Sequence, residues 1–187
     1  MSKRWNHFKT IVIHKYYVGK YCFMCKLYWQ GIVHDLSKFS PTEFEESVKY
    51  YNGRISPIIK AKYDKGYSEA WQHHKGRNKH HYEYWTDNYD NGTTTIKIPF
   101  KYVLEMICDF FGAGIAYNKD KKDEKALIKS EIAWWNSRKN KAFMHKDTKL
   151  LITIILNKMD ECDSIKKVLG DKKLLKSLEN TYNALDW

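Results

Sequence analysis

Between positions 4 and 29 buried-type side chains return at steps of three and four: Ile11, His14, Val18, Tyr21 and Cys25. That is the period of one helix face, and no proline interrupts it. A helix with such a stripe must find other elements to cover it. The rest of the chain offers mainly helices. Ser40-Pro41 starts one, with serine as the cap, proline in the first turn and Glu43 as the third helical residue. It runs to about Tyr51, where Asn52-Gly53 stops it. Ser56-Pro57 starts another in the same way, and Gly66 divides it. Pro99 opens a helix through about Tyr117, and further helices are predicted near 123–138, 147–160 and 171–185. Gln30-Gly31 reads as the break that ends the first helix. Residues 73–81 are too polar for a core helix and read as a loop or helix junction. Only 86–98 reads as extended, a loop or short hairpin turning at Asn91-Gly92 and placed over a site. The expected class is all-α: one helical-bundle domain over 1–187, with a motif-bearing core at about 10–117 and C-terminal helices at 123–187.

Composition narrows the classes. Hydrophobic residues make up 43% of 187 and aromatics 16%, too much for a disordered chain. No apolar run approaches the ~20 residues of a membrane span. The basic start, Lys3-Arg4, is not followed by a signal-peptide core, so a cytoplasmic location is expected. Cys22, Cys25, Cys108 and Cys162 read as reduced core thiols. The Cys22-x-x-Cys25 pair fits helix packing better than zinc or redox chemistry. The net charge of +11 is almost all lysine, with arginine only at 4, 54, 77 and 138. Base and phosphate recognition favours the planar arginine fork, so a nucleic-acid partner is compatible with the charge but not favoured by it.

The histidines are unevenly placed. Four of eight, His73, His74, His80 and His81, fall within nine residues. Imidazole is the commonest transition-metal ligand at neutral pH, so the cluster suggests a metal. His34–Asp35 ends the apolar run Gly31-Ile32-Val33, where burial is expected, and a buried carboxylate needs a cation or donors. Asp109 makes the same demand. Tyr102, Met106, Asp109 and Ala113 are spaced four, three and four, which sets an aspartate in the middle of an apolar helix face. Unpaired, it would be strongly destabilising. Gly112 and Gly114 would let another helix approach closely.

The order His14, His34-Asp35, the 73–81 histidines and Asp109, over separate helices, resembles the HD-domain superfamily of metal-dependent phosphohydrolases. More closely, the motif His34-Asp-Leu-Ser-Lys-Phe-Ser-Pro41 with His74-x-x-x-Asn-x-His-His-x-Glu-x-Trp85 looks like a family of small bacterial and phage-type proteins without a secure activity. The resemblance covers about 10–117. It implies that His14, His34, Asp35 and Asp109 hold one ion. His74, with His80 or His81, would hold a second or protonate the leaving oxygen. Imidazole-rich ligands suit Mn²⁺, Fe²⁺ or Zn²⁺ better than Mg²⁺, which is also possible. It further implies catalytic roles for Asp35, Lys38 and His74. Lys38, with Lys75, Arg77 and Lys79, would neutralise substrate phosphate, and Asn78 and Glu83 would support the histidines. Tyr82, Tyr84 and Trp85 either stack a base or pack the core. The implied reaction is hydrolysis of a nucleotide or other phosphate ester by metal-activated water. Three other readings remain: an HD-like iron oxygenase, a non-catalytic metal-containing protein that binds nucleic acid or a protein partner, and a plain helical bundle with no metal.

Overall fold

The structure is a computed structural model that describes residues 2–117 and 123–185. It is all-helical apart from one hairpin. Helix α1 spans Lys3–Met24, α2 Tyr28–Val33, α3 Pro41–Tyr50, α4 Pro57–Lys65 and α5 Glu69–Lys75. Strands β1 (Thr86–Tyr89) and β2 (Gly92–Thr95) follow. Then come α6 (Phe100–Tyr117), α7 (Glu124–Arg138), α8 (Lys146–Glu161), α9 (Ile165–Leu169) and α10 (Lys172–Ala184). Single 3₁₀ turns lie at Leu36–Phe39 and Tyr82–Trp85.

Local signals account for most boundaries. Ser40 Oγ accepts from the Glu43 N–H at 3.4 Å, and Pro41 occupies the first turn. Ser68, Asp123, Ser164 and Asp171 cap α5, α7, α9 and α10 through their side chains. Gly66 ends α4 at φ +82°, a left-handed value that glycine adopts without strain. The strands pair antiparallel from Thr86↔Thr95 to Tyr89↔Gly92.

The first helix departs from expectation. It ends at Met24, and Lys26 turns the chain at φ +61°, so the break precedes Gln30-Gly31. Gly31 lies inside α2 and serves packing instead. A Cβ there would stand 3.1 Å from Cys22 Cβ and 2.9 Å from the Phe23 ring. With no side chain, α2 folds back along α1 at close range. Two other details also differ: His73 and His74 are helical, on α5, and α9 interrupts the C-terminal segment.

The core gathers around α6. Val103, Ile107 and Phe111 are fully or almost fully buried, as are Val18 and Cys22 of α1 and Ile152, Ile155 and Met159 of α8. Helix α6 packs on α1, α7, α8 and α10. Helices α3, α4 and α5 form a smaller layer that meets α1 through α3. The chemistry predicted from the sequence falls between these two layers.

Candidate metal centre

The His34–Asp35 doublet is held from outside its own segment. Helix α2 ends at His34, and Lys15 of α1 donates to the carbonyls of Ile32 (2.5 Å) and His34 (2.8 Å). An ammonium thus satisfies carbonyls that a helix end leaves unpaired. Asp35 is left-handed, φ +55° and ψ +24°, a conformation that aspartate tolerates better than most non-glycine residues. The turn sends its carboxylate inward, and the residue is 1% exposed.

The two Asp35 oxygens face different partners. Oδ2 lies 2.9 Å from His14 Nε2, 3.3 Å from His34 Nε2 and 2.5 Å from Lys38 Nζ. Oδ1 lies 3.3 Å from His74 Nε2 and 3.4 Å from His80 Nε2. Asp109, from α6, places Oδ1 at 3.2 Å from His14 Nε2 and 3.5 Å from His34 Nε2. Two potential ligand sets result, His14–His34–Asp35–Asp109 and Asp35–His74–His80–His81. Within each set one donor atom per residue lies within 4.8 Å of all the others. Asp35 belongs to both.

The outer ring nitrogens decide what the inner ones can do. His34 Nδ1 and His80 Nδ1 share Glu105 Oε1, at 3.0 and 3.1 Å. His74 Nδ1 meets Glu43 Oε2 at 2.7 Å, and His73 Nδ1 meets Glu43 Oε1 at 2.6 Å. A carboxylate only accepts, so each Nδ1 carries the proton. In a neutral ring Nε2 is then a lone pair. Three such lone pairs, from His34, His74 and His80, point at the Asp35 carboxylate, acceptor toward acceptor. Only a proton on each nitrogen, or a cation between them, relieves that opposition. In keeping with this, His34 Nε2, His80 Nε2, His81 Nε2 and Asp35 Oδ1 are buried without a hydrogen bond. These residues therefore fit a divalent cation.

The electrostatics agree. Burial opposes a cationic His34, yet Asp35, Asp109 and Glu105 raise its pKa well above the ordinary value. Burial alone would push the Asp35 carboxyl up, but His34, Lys38 and His74 hold it well below the usual range. Asp109 is likewise held well down, by His14 and His34 against its burial. Burial opposes the Lys38 ammonium too, but Asp35 and Asp109 more than compensate. The site is thus arranged to retain positive charge next to ionised carboxylates.

The supporting residues only partly match expectation. Asn78 Nδ2 donates to Ser37 Oγ (2.9 Å) and to the His74 carbonyl (2.8 Å), and Ser37 Oγ lies 3.2 Å from His74 Nδ1. Glu83 does not join that network; its carboxyl pairs with Tyr82. It stands in a cavity wall, where burial raises its pKa. Glu43 and Glu105 escaped sequence reading. Glu43 looked fully explained as the third residue of a capped helix. Glu105 had a signal: it precedes Asp109 by one helical turn on an otherwise apolar helix.

The centre opens on a cavity of about 560 Å³. His14, His74, His80, His81 and Asp109 form part of its wall. Ile58 and Ile59 of α4 with Trp71, Phe110 and Trp134 supply apolar surface, Lys38, Arg54, Lys62 and Arg138 supply positive charge, and Glu43, Glu83 and Glu131 supply carboxyl groups. Lys75, Arg77 and Lys79 do not line it. Arg77 donates to the His73 carbonyl, and Lys79 lies over the rings of Tyr84 and Tyr102. Tyr82 lines the cavity, whereas Trp85 packs on Tyr102 and donates to the Lys79 carbonyl. No hairpin residue reaches the cavity, so the expected cover over the site is not formed by 86–95.

Fold and centre together define a class: a helical bundle whose buried imidazoles and carboxylates could hold a metal ion. The chain belongs to the family described as family of unknown function (DUF5662), whose model matches residues 3–158 and so takes in every residue of the centre. No curated protein and no solved structure matches it. No helix among the described residues is long and apolar enough to cross a membrane.

Proposed function

We propose that this protein is a metal-dependent phosphohydrolase acting on a small organic phosphate ester, a nucleotide being the leading candidate. One observation carries the reading: a single carboxylate, Asp35, stands between two sets of histidine lone pairs beside a cavity whose wall includes Lys38, Arg54, Lys62 and Arg138. His14, His34, Asp35 and Asp109 would hold one divalent cation, and Asp35 with His74, His80 and His81 a second. The imidazole content favours Mn²⁺, Fe²⁺ or Zn²⁺ over Mg²⁺. What such cations supply is Lewis acidity and water acidic enough to ionise near neutral pH.

The chain's own residues do the rest. Lys38, fixed against Asp35, presents a positive charge at the cavity wall where phosphate oxygens would lie. Arg54, Lys62 and Arg138 are further cations on that wall, and they take the place of Lys75, Arg77 and Lys79 as candidate phosphate contacts. Ile58, Ile59, Trp71 and Phe110 exclude water around the organic part of the ester. Where only the first set is filled, His74, backed by Glu43, is the group able to pass a proton from Nε2 to the leaving oxygen. The cavity volume suits a small molecule, which favours this reading over one based on nucleic-acid binding.

The test is metal analysis of protein purified without a histidine tag, followed by assay against nucleoside monophosphates, nucleoside triphosphates and cyclic nucleotides. Bound transition metal, its loss in Asp109→Ala, and phosphate release that falls at least 100-fold in Asp35→Asn are expected. A metal-free parent under several metal supplements would overturn the proposal. Metal without turnover of any ester would move the reading to a non-catalytic centre.

A further inference from the structure

Glu105 does not line the cavity, yet it sits where the two ligand sets meet. Its Oε1 accepts from His34 Nδ1 at 3.0 Å and from His80 Nδ1 at 3.1 Å. His34 belongs to one set and His80 to the other. The two rings are close neighbours, centroids 4.3 Å apart and tilted by 35°. One carboxylate oxygen has two lone pairs, and here each is used by a different half of the centre. Glu105, His34 and His80 also lie close enough to be read as a third cation site, with Glu105 Oε1 beside the two Nδ1 atoms. The separations of 3.0 and 3.1 Å are those of direct N–H···O hydrogen bonds. Using Nδ1 for a third ion would also leave Glu105 unable to fix either tautomer.

We infer that Glu105 is a positioning residue for both halves at once: it orients one imidazole of each set, so occupancy of the two metal positions depends on a single side chain. This rests on the metal-centre reading above. Glu43 offers the contrast. It binds His73 and His74, and of these only His74 belongs to a ligand set, so its removal should affect the second position alone. Orientation by an outer carboxylate is typically worth roughly 10- to 100-fold in metal affinity. Glu105→Ala should therefore lose about that factor at both positions, Glu43→Ala at one.

The experiment is Co²⁺ titration of the metal-free full-length chain, read by visible absorption and by calorimetry. The parent should take up two Co²⁺ per chain. Glu105→Ala should weaken both steps and lower the absorption of both bound ions. Glu105→Gln keeps an oxygen acceptor in place and should recover much of both. Melting of each metal-free variant shows whether the fold persists, and Glu105→Gln carries the test if Glu105→Ala does not fold. Two Co²⁺ in the parent with only one step weakened in Glu105→Ala, or with neither weakened, overturns the shared role and leaves the metal centre standing, as does a Glu105→Gln that weakens one step alone. Equal weakening of both steps by Glu43→Ala overturns it as well. A parent that binds no Co²⁺ overturns the metal centre and this inference together.

Discussion

At the scale of single residues, burial has a different meaning at each histidine. His34, His74 and His80 have a carboxylate on one nitrogen and Asp35 before the other. His7 has neither. It is 4% exposed, its two ring nitrogens lack hydrogen bonds, and it packs on Phe44 and Tyr51. Burial, helped by nearby Lys38, lowers its pKa from 6.5 to about 4. In the unfolded chain His7 takes up a proton once the pH falls below about 6.5, while in the folded chain it stays neutral down to about 4. Over that window the unfolded state binds more protons, so this histidine makes stability fall as the pH drops. In His7→Phe, which keeps an aromatic ring against Phe44 and Tyr51, melting temperature should decline less steeply between pH 6.5 and 4 than in the parent. Parallel curves would show that His7 does not contribute. Asp35 combines two demands in one residue, a left-handed backbone and a bridging charge. Asparagine tolerates that backbone, so Asp35→Asn should fold and yet lose metal, whereas alanine would confound the two effects.

At the scale of elements, the contact of α1 with α6 sets the distance between His14 and Asp109. Gly112 is what permits it. A Cβ at that position would lie 3.2 Å from the Val18 nitrogen and 3.3 Å from the His14 carbonyl oxygen, both backbone atoms that yield little. Gly112→Ala should therefore push α1 away. We expect a loss of about 1–3 kcal/mol, the usual range for overpacking, read by urea unfolding. Metal affinity should fall with it, since His14 would move from Asp109. An unchanged unfolding midpoint would refute this. Lys15 plays a similar part between α1 and α2. Lys15→Met keeps the stem but leaves the Ile32 and His34 carbonyls without their ammonium. It should lower stability by roughly 1–2 kcal/mol and loosen the doublet, seen as faster amide exchange at residues 34–36. Sequence periodicity found α1 and α6 and their apolar faces, and it marked Gly112 as a point of close approach. It misplaced the end of α1, because Gly31 resembles a helix breaker and only its contact with Cys22 and Phe23 reveals a packing glycine.

At the scale of the whole molecule, the centre joins segments from α1, α2, α3, α5 and α6. Ions bound there would tie the two layers together and stabilise the native state by mass action. At a free metal concentration about 100 times the dissociation constant the gain is about 2.7 kcal/mol for each ion. For a chain of this size that is roughly 5–10 °C in melting temperature. Chelation should lower the melting temperature by that amount in the parent and by much less in Asp109→Ala. An identical response would mean that the chelator acts elsewhere.

The sequence by itself determined the helical class, most helix starts, the apolar faces, and the order of His14, His34, Asp35 and Asp109. These follow from interactions within a few residues: capping, proline placement, 3.6-residue periodicity, and the cost of a carboxylate among apolar side chains. The tertiary structure decided the rest. His34 meets Glu105 from 71 positions away, and His74 meets Glu43 from 31. Arg54, Lys62 and Arg138 line the cavity while the lysines beside the histidines do not. No local pattern encodes such pairings. They arise only when separate helices are packed at a definite distance, which is also what turns a run of histidines into a set of lone pairs directed at one aspartate.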